Sequence, residues 1–146
     1  MQLGKLIARA EPTWKPTDLG DVEVLVIGLR DRAFRDYYAK LQDEPDAKKA
    51  IRAGGKRKRE MIDALFIKAL ARKALHGWKG ITEDDDTTPV EFTPDKAIEL
   101  LTESNAFYDN VVAACGEVDA ALVADEEKAE GNSARVSGSP SSGGHA

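Results

Sequence analysis

Apolar residues recur along this chain with two different periods. Asp21 to Leu29 reads DVEVLVIGL. Its opening alternation, continuous apolar centre and β-branched content predict a strand, with Gly20 as the turn residue before it. Beyond it the helical period takes over. Asp31 is placed to cap a helix in which Phe34, Tyr37, Tyr38 and Leu41 recur three and four residues apart. Pro45 interrupts that helix, Asp46 to Ala53 forms a short polar helical piece, and Gly54-Gly55 is a break. A further helix is expected from Lys56 to Leu75, with Ile62, Phe66, Ala69 and Leu70 on one face and Gly77 as its C-terminal cap.

The stretch His76 to Leu101, HGWKGITEDDDTTPVEFTPDKAIELL, changes period twice. Trp78 to Ile81 predicts a short strand that pairs, across an acidic turn, with Val90 to Phe92 as a β-hairpin. Thr93 is the expected N-cap of the next helix, with Pro94 at its first position. Asn105 is the expected cap of the last helix, where Phe107, Val111, Ala114, Val118 and Leu122 form an apolar stripe widened by Val112 and Cys115. From Gly131 the chain reads GNSARVSGSPSSGGHA, a Gly/Ser-rich composition expected to be a disordered tail. The order predicts an α+β fold: a mainly helical small domain over residues 1–130, with one N-terminal strand and a short β-hairpin.

Composition narrows the class. The 146 residues suit one domain. Hydrophobic residues at 42% and charged residues at 32% fit a soluble globular protein. No apolar run approaches the ~20 residues that span a bilayer, so no membrane association is expected. The start, MQLGKLIARAEPTW, is too short and too interrupted by charge for a secretory segment. A single cysteine, Cys115, excludes an intramolecular disulfide and fits a reducing cytoplasm.

Charge is divided unevenly. Through Gly80 there are 18 Lys/Arg against 11 Asp/Glu, a balance of +7; from Ile81 onward there are 3 against 15, a balance of -12. Two such halves can attract each other within a fold or between copies. The net charge of -5 disfavours nucleic acid, whose binding depends on neutralising phosphates. Lys56, Arg57, Lys58 and Arg59 are the one strong cationic cluster, but no aromatic residue is interleaved with them. They read first as a solvated face, and next as a site for an acidic partner.

Catalytic and metal chemistry find little to stand on. A calcium loop begun at Asp84 would need glycine at its sixth position and Glu at its twelfth; Pro89 and Asp95 stand there. Glu83 to Asp86 therefore reads as a solvated turn. Gly54-Gly55-Lys56 lacks the rest of a phosphate loop. His76 has no nucleophile pattern around it and is expected to interact with its own helix terminus. Cys115, on an apolar stripe, reads as a small hydrophobe. Neither an enzyme nor a cofactor is expected.

Val22 to Leu41, Trp78-Lys79-Gly80-Ile81, Pro89-Val90-Glu91-Phe92-Thr93-Pro94 and the FYDNVVAACGEVDAAL helix together resemble the tail assembly chaperones of long-tailed bacteriophages and prophages. The resemblance covers roughly Gly20 to Asn132. Trp78, Ile81, Val90, Phe92 and Pro94 are its structural signature. Such proteins commonly carry a glycine in the turn before the Pro-Val step; Asp86-Thr87-Thr88 stands here, which predicts a different turn. The resemblance implies a non-enzymatic protein of the host cytoplasm, absent from the finished virion. It implies binding of the tape measure protein, kept soluble while the tube polymerises around it, and engagement of the major tail tube protein.

A tape measure segment is expected to be an amphipathic helix, which binds by laying its apolar face in a groove. Ile62, Phe66, Leu70, Phe107, Val111, Val118 and Leu122 are the candidates to supply that groove. A homo-oligomer is also compatible with the sequence, since the basic and acidic halves can attract each other between copies. The competing readings are a tail-completion or connector protein retained in the virion, and a nucleic-acid-binding regulator using Lys56 to Arg59.

Overall fold

Antiparallel pairing around one short central strand organises the sheet of this protein. In a computed structural model that describes the backbone of residues 11–136 and the side chains of residues 11–128, β2 (Glu23–Val26) lies between β1 (Thr13–Pro16) and β3 (Leu75–Lys79). Val24 and Val26 point inward with no exposure, while Glu23 and Leu25 point outward. That is the period of two expected for a half-buried strand. The strand is shorter than the expected Asp21–Leu29. Beyond Val26 the chain leaves the ladder, and the Ile27 amide donates instead to the Ala74 carbonyl at 3.0 Å.

β1 has no counterpart among the predicted elements. Thr13-Trp14-Lys15-Pro16 shows no apolar alternation, and Pro16 cannot donate to a ladder. It is tolerated because β1 is an edge strand, paired only with β2 through Thr13↔Val26 to Pro16↔Glu23. Thr17 Oγ1 donates to the Val22 carbonyl at 2.7 Å and accepts from Leu19 N, closing the connecting loop.

The helices follow the sequence more closely. In α1 (Arg32–Gln42) the Asp31 carboxylate accepts from Ala33 N at 2.8 Å, as the cap requires. α2 (Pro45–Ala53) begins with proline at its first turn. Gly54 and Gly55 both take positive φ, 70° and 60°, so the chain reverses abruptly between α2 and α3 (Gly55–Ala69). The expected helix to Leu75 stops at Ala69. Leu70–Ala74 is a π-helical turn with Leu70, Ala71 and Ala74 buried, and Leu75 already belongs to β3. Gly77 is accordingly not a cap; it sits opposite Leu25 in the sheet.

The expected hairpin is also rearranged. β3 pairs with β2, Trp78 opposite Val24, rather than with Val90–Phe92. Only the turn itself remains of the predicted pair. Thr82 bridges Pro89, Val90 N donates to Ile81 O at 2.9 Å, and Glu83 N donates to Thr88 O at 2.8 Å. Strand β2 presents a full antiparallel edge, whereas residues 90–92 are too few to match it; the longer ladder wins.

Thr93 Oγ1 accepts from Lys96 N at 3.0 Å at the start of α4 (Pro94–Glu103). The last helix, α5 (Asn105–Val136), is capped by Ser104, not Asn105: Ser104 Oγ accepts from Phe107 N at 3.0 Å. α5 packs on α4 and against β1 and β2. It runs through Gly131, where the tail was expected to begin; the remainder of that tail, residues 137–146, lies outside the described residues. The fold is α+β and mainly helical, as the order of elements predicts.

Leu70, Leu75, Val24, Val26, Val111 and Cys115 are the largest fully buried side chains. They come from the sheet, the π-helical turn and α5, so the core is closed by residues far apart in sequence. Burying each aliphatic side chain contributes roughly 1.5–3 kcal/mol.

Candidate protein-binding surface

The residues expected to form a binding groove separate into two groups. Leu70, Phe107, Val111 and Val118 face inward and close the domain's own core. Packing explains this: α5 must cover both the sheet and α4, and its apolar stripe is consumed in doing so. Ile62 and Phe66 on α3 are half-buried, and Leu122 on α5 is 40% exposed. These three remain accessible.

Phe66 is the centre of an aromatic cluster drawn from three helices. Its ring meets Phe34 at 5.8 Å and 85°, Tyr38 at 5.6 Å and 71°, and Tyr108 at 6.3 Å and 58°. Phe34 is buried, but Tyr38, Phe66 and Tyr108 are partly open to solvent. Both phenols are held above their ordinary pKa, first by desolvation and next by the nearby Asp63 carboxylate. The cluster presents a rigid apolar face with polar tips, the kind of surface that gives large contact area at low entropic cost. Helical spacing does not tell how far Tyr38 and Tyr108 are buried. Their half-exposure follows from the crossing of α1, α3 and α5, which a one-dimensional pattern does not contain.

A second partly apolar face lies on the outside of the sheet. Trp14, 38% exposed, stands opposite Leu25, which stands opposite Gly77. The Lys79 ammonium lies 4.0 Å from the Trp14 ring centroid, a cation–π contact that partly covers it.

The signature residues act structurally. Trp78 is buried, its indole N–H donates to the Val90 carbonyl at 2.7 Å, and its ring meets Phe92 at 5.0 Å and Phe107 at 5.9 Å. Ile81 and Val90 are joined by their backbone hydrogen bond, and Pro94 opens α4. His76 Nε2 donates to the Lys73 carbonyl at 3.0 Å, the helix-terminus contact its position predicts.

The acidic run Glu83 to Asp86 is exposed. Asp85 organises it, its carboxylate accepting from Thr87 N and Thr88 N at 2.9 Å and from the Thr88 hydroxyl. Those hydrogen bonds hold its pKa down to about 2. Asp86 takes φ 61°, the left-handed conformation that a glycine would adopt without strain. Among the described residues no group of three His, Cys, Asp or Glu side chains is placed to hold a metal ion. No helix among them is long and apolar enough to cross a membrane.

The basic cluster is larger than its sequence run. Lys48, Lys49 and Arg52 on α2 join Lys56 to Arg59 at the start of α3, and all seven are exposed. A cavity of about 340 Å³ opens between the two helices, lined by Asp46, Lys49, Ala50, Arg57, Glu60, Met61 and Ala64. The Gly54-Gly55 reversal brings the two runs together.

The family model described as YdaY prophage protein matches residues 29–132, from the end of the β2 loop into the last helix. No curated protein and no solved structure matches the chain.

Proposed function

The chain belongs to the YdaY prophage protein family, and from that premise we propose that it is a tail assembly chaperone, a non-enzymatic protein that holds the tape measure protein during tail morphogenesis. The observation that carries this reading is the half-open aromatic face of Tyr38, Phe66 and Tyr108, continued by Ile62, on a prophage-encoded domain. An amphipathic client helix would lay its apolar face on these rings, with exposed charges on α1 and α3 setting its register. The resemblance of the Trp78 to Pro94 segment to tail chaperones supports the same assignment. In this reading the major tail tube protein is a second, later partner. The protein acts in the host cytoplasm and is left out of the finished particle.

Co-expression with the tape measure protein encoded by the same prophage tests the proposal. The client should become soluble and co-purify, and Phe66→Ala with Ile62→Ser should reduce the yield of complex at least tenfold while far-UV circular dichroism stays unchanged. A client equally soluble without this chain, with no complex recovered, sinks the reading. Mass spectrometry of purified particles separates it from a virion component, which would be retained.

A further inference from the structure

α5 outruns the body of the domain. Among the described side chains Val118 is its last buried residue, yet the helix continues for 18 residues to Val136. From Ala120 to Lys128 every side chain is exposed except the half-buried Val123. About 13 Å of helix, Ala120 to Lys128, with so little packing is marginal in water. This stretch also carries an apolar anchor, Leu122, with Asp125 and Glu126 three and four residues further on the same face.

The groove between α2 and α3 has the complementary character. Ala50, Met61 and Ala64 give it an apolar floor, and Lys49 and Arg57 stand at its rim. Asp46 and Glu60 complete the lining and are outnumbered by the surrounding cations of Lys48, Arg52 and Lys56 to Arg59. None of these seven cations forms an ion pair among the described residues. α5 is itself held along α4 and the sheet.

We propose that the acidic end of α5 docks in the basic α2–α3 groove of a second copy of this chain, with Leu122 on the apolar floor and Asp125 and Glu126 facing Lys49 and Arg57. Charge identifies the occupant. Both surfaces belong to the same chain, are of opposite sign, and are therefore present at equal concentration wherever the protein is made. The contact is independent of the chaperone reading, because it uses neither Phe66 nor Ile62.

Light scattering on the full chain tests the proposal. At low salt the mass should rise with concentration to twice 15.8 kDa, and fall back as added salt screens the contact. The pair Asp125→Lys with Glu126→Lys should be monomeric, and so should the pair Lys49→Glu with Arg57→Glu. An equimolar mixture of the two variants should recover the wild-type mass, since each then meets opposite charge. Leu122→Ala, outside the core, should weaken association at least tenfold and serves if a charge variant loses its circular dichroism. A wild-type chain monomeric at about 100 µM in low salt, an affinity weaker than roughly 5 kcal/mol, overturns the proposal, as does a mixture that fails to re-associate. A monomer whose α2–α3 cations instead retain generic duplex DNA in a salt-dependent manner would assign the groove to nucleic acid.

Discussion

The indole N–H of Trp78 donates to the carbonyl oxygen of Val90 at 2.7 Å, joining strand β3 to a segment that has no strand pairing of its own. The Trp78 ring also meets Phe92 edge-on at 81°. One side chain therefore does what a second ladder was expected to do. Trp78→Phe keeps most of the ring packing and removes the donor, so it should cost about 1–3 kcal/mol. Trp78→Ala removes both and should cost about 3–5 kcal/mol. Urea denaturation of the two variants checks the difference; a Trp78→Phe variant as stable as the wild type would show that the hydrogen bond contributes nothing.

Asp119 and Gly28 form a second long-range lock. The Asp119 carboxylate accepts from Leu29 N at 3.0 Å and Arg30 N at 3.2 Å, and a Cβ on Gly28 would collide with that carboxylate. Asp119→Ala strips two backbone donors of their partner and should cost about 1–3 kcal/mol. Gly28→Ala should destabilise by displacing the same carboxylate. The double variant should lose less than the sum, because the clash and the contact share one group. Strict additivity in thermal melts would dissociate the two residues.

The buried thiol of Cys115 sets an alkaline limit. Burial, then the neighbouring Asp119 charge, pushes its pKa up to about 12. In the unfolded chain the thiol ionises near 8.5. Above that value the unfolded state releases a proton that the native state keeps, so stability falls by about 1.4 kcal/mol per pH unit until the native thiol ionises. Cys115→Ala should flatten the alkaline limb of a pH–stability profile. Native protein should also react with a thiol reagent only as fast as it unfolds.

Asp85 titrates at the other extreme. Its folded pKa of about 2 lies below the unfolded value, so the carboxylate favours the ordered turn above about pH 4. That preference is lost as pH falls through about 2. The amide resonances of Thr87 and Thr88, which donate to Asp85, should shift together with a midpoint near 2. A midpoint near 4 would mean that the turn is not organised in solution.

Next to it, Asp86 occupies a left-handed position without being glycine. Asp86→Gly should be neutral or stabilising by up to ~1 kcal/mol, whereas Asp86→Val should cost about 1–2 kcal/mol. Thermal melts of the two separate backbone strain from side-chain effects. If both variants melt together, the φ of this residue is unimportant.

Local chemistry in the sequence is enough to place the helices and most of their ends. Asp31, Pro45, Gly54-Gly55, Thr93 and Pro94 act within one turn of themselves, so their effects are visible without knowing the fold. The mainly helical α+β class, the solvated acidic turn and the interior placement of Cys115 follow from the same local rules. Pairing choices were decided elsewhere. β3 joins β2 because the π-helical turn at Leu70–Ala74 returns the chain to that edge, and nothing in residues 75–92 alone reveals it. Tertiary structure likewise turned Leu70, Phe107, Val111 and Val118 inward while leaving Phe66, Tyr38 and Tyr108 half open. A hydrophobic stripe specifies that one helix face is buried. Which residues of it touch the core, and which stay open to a partner, depends on where neighbouring helices cross, and that is a property of the assembled domain.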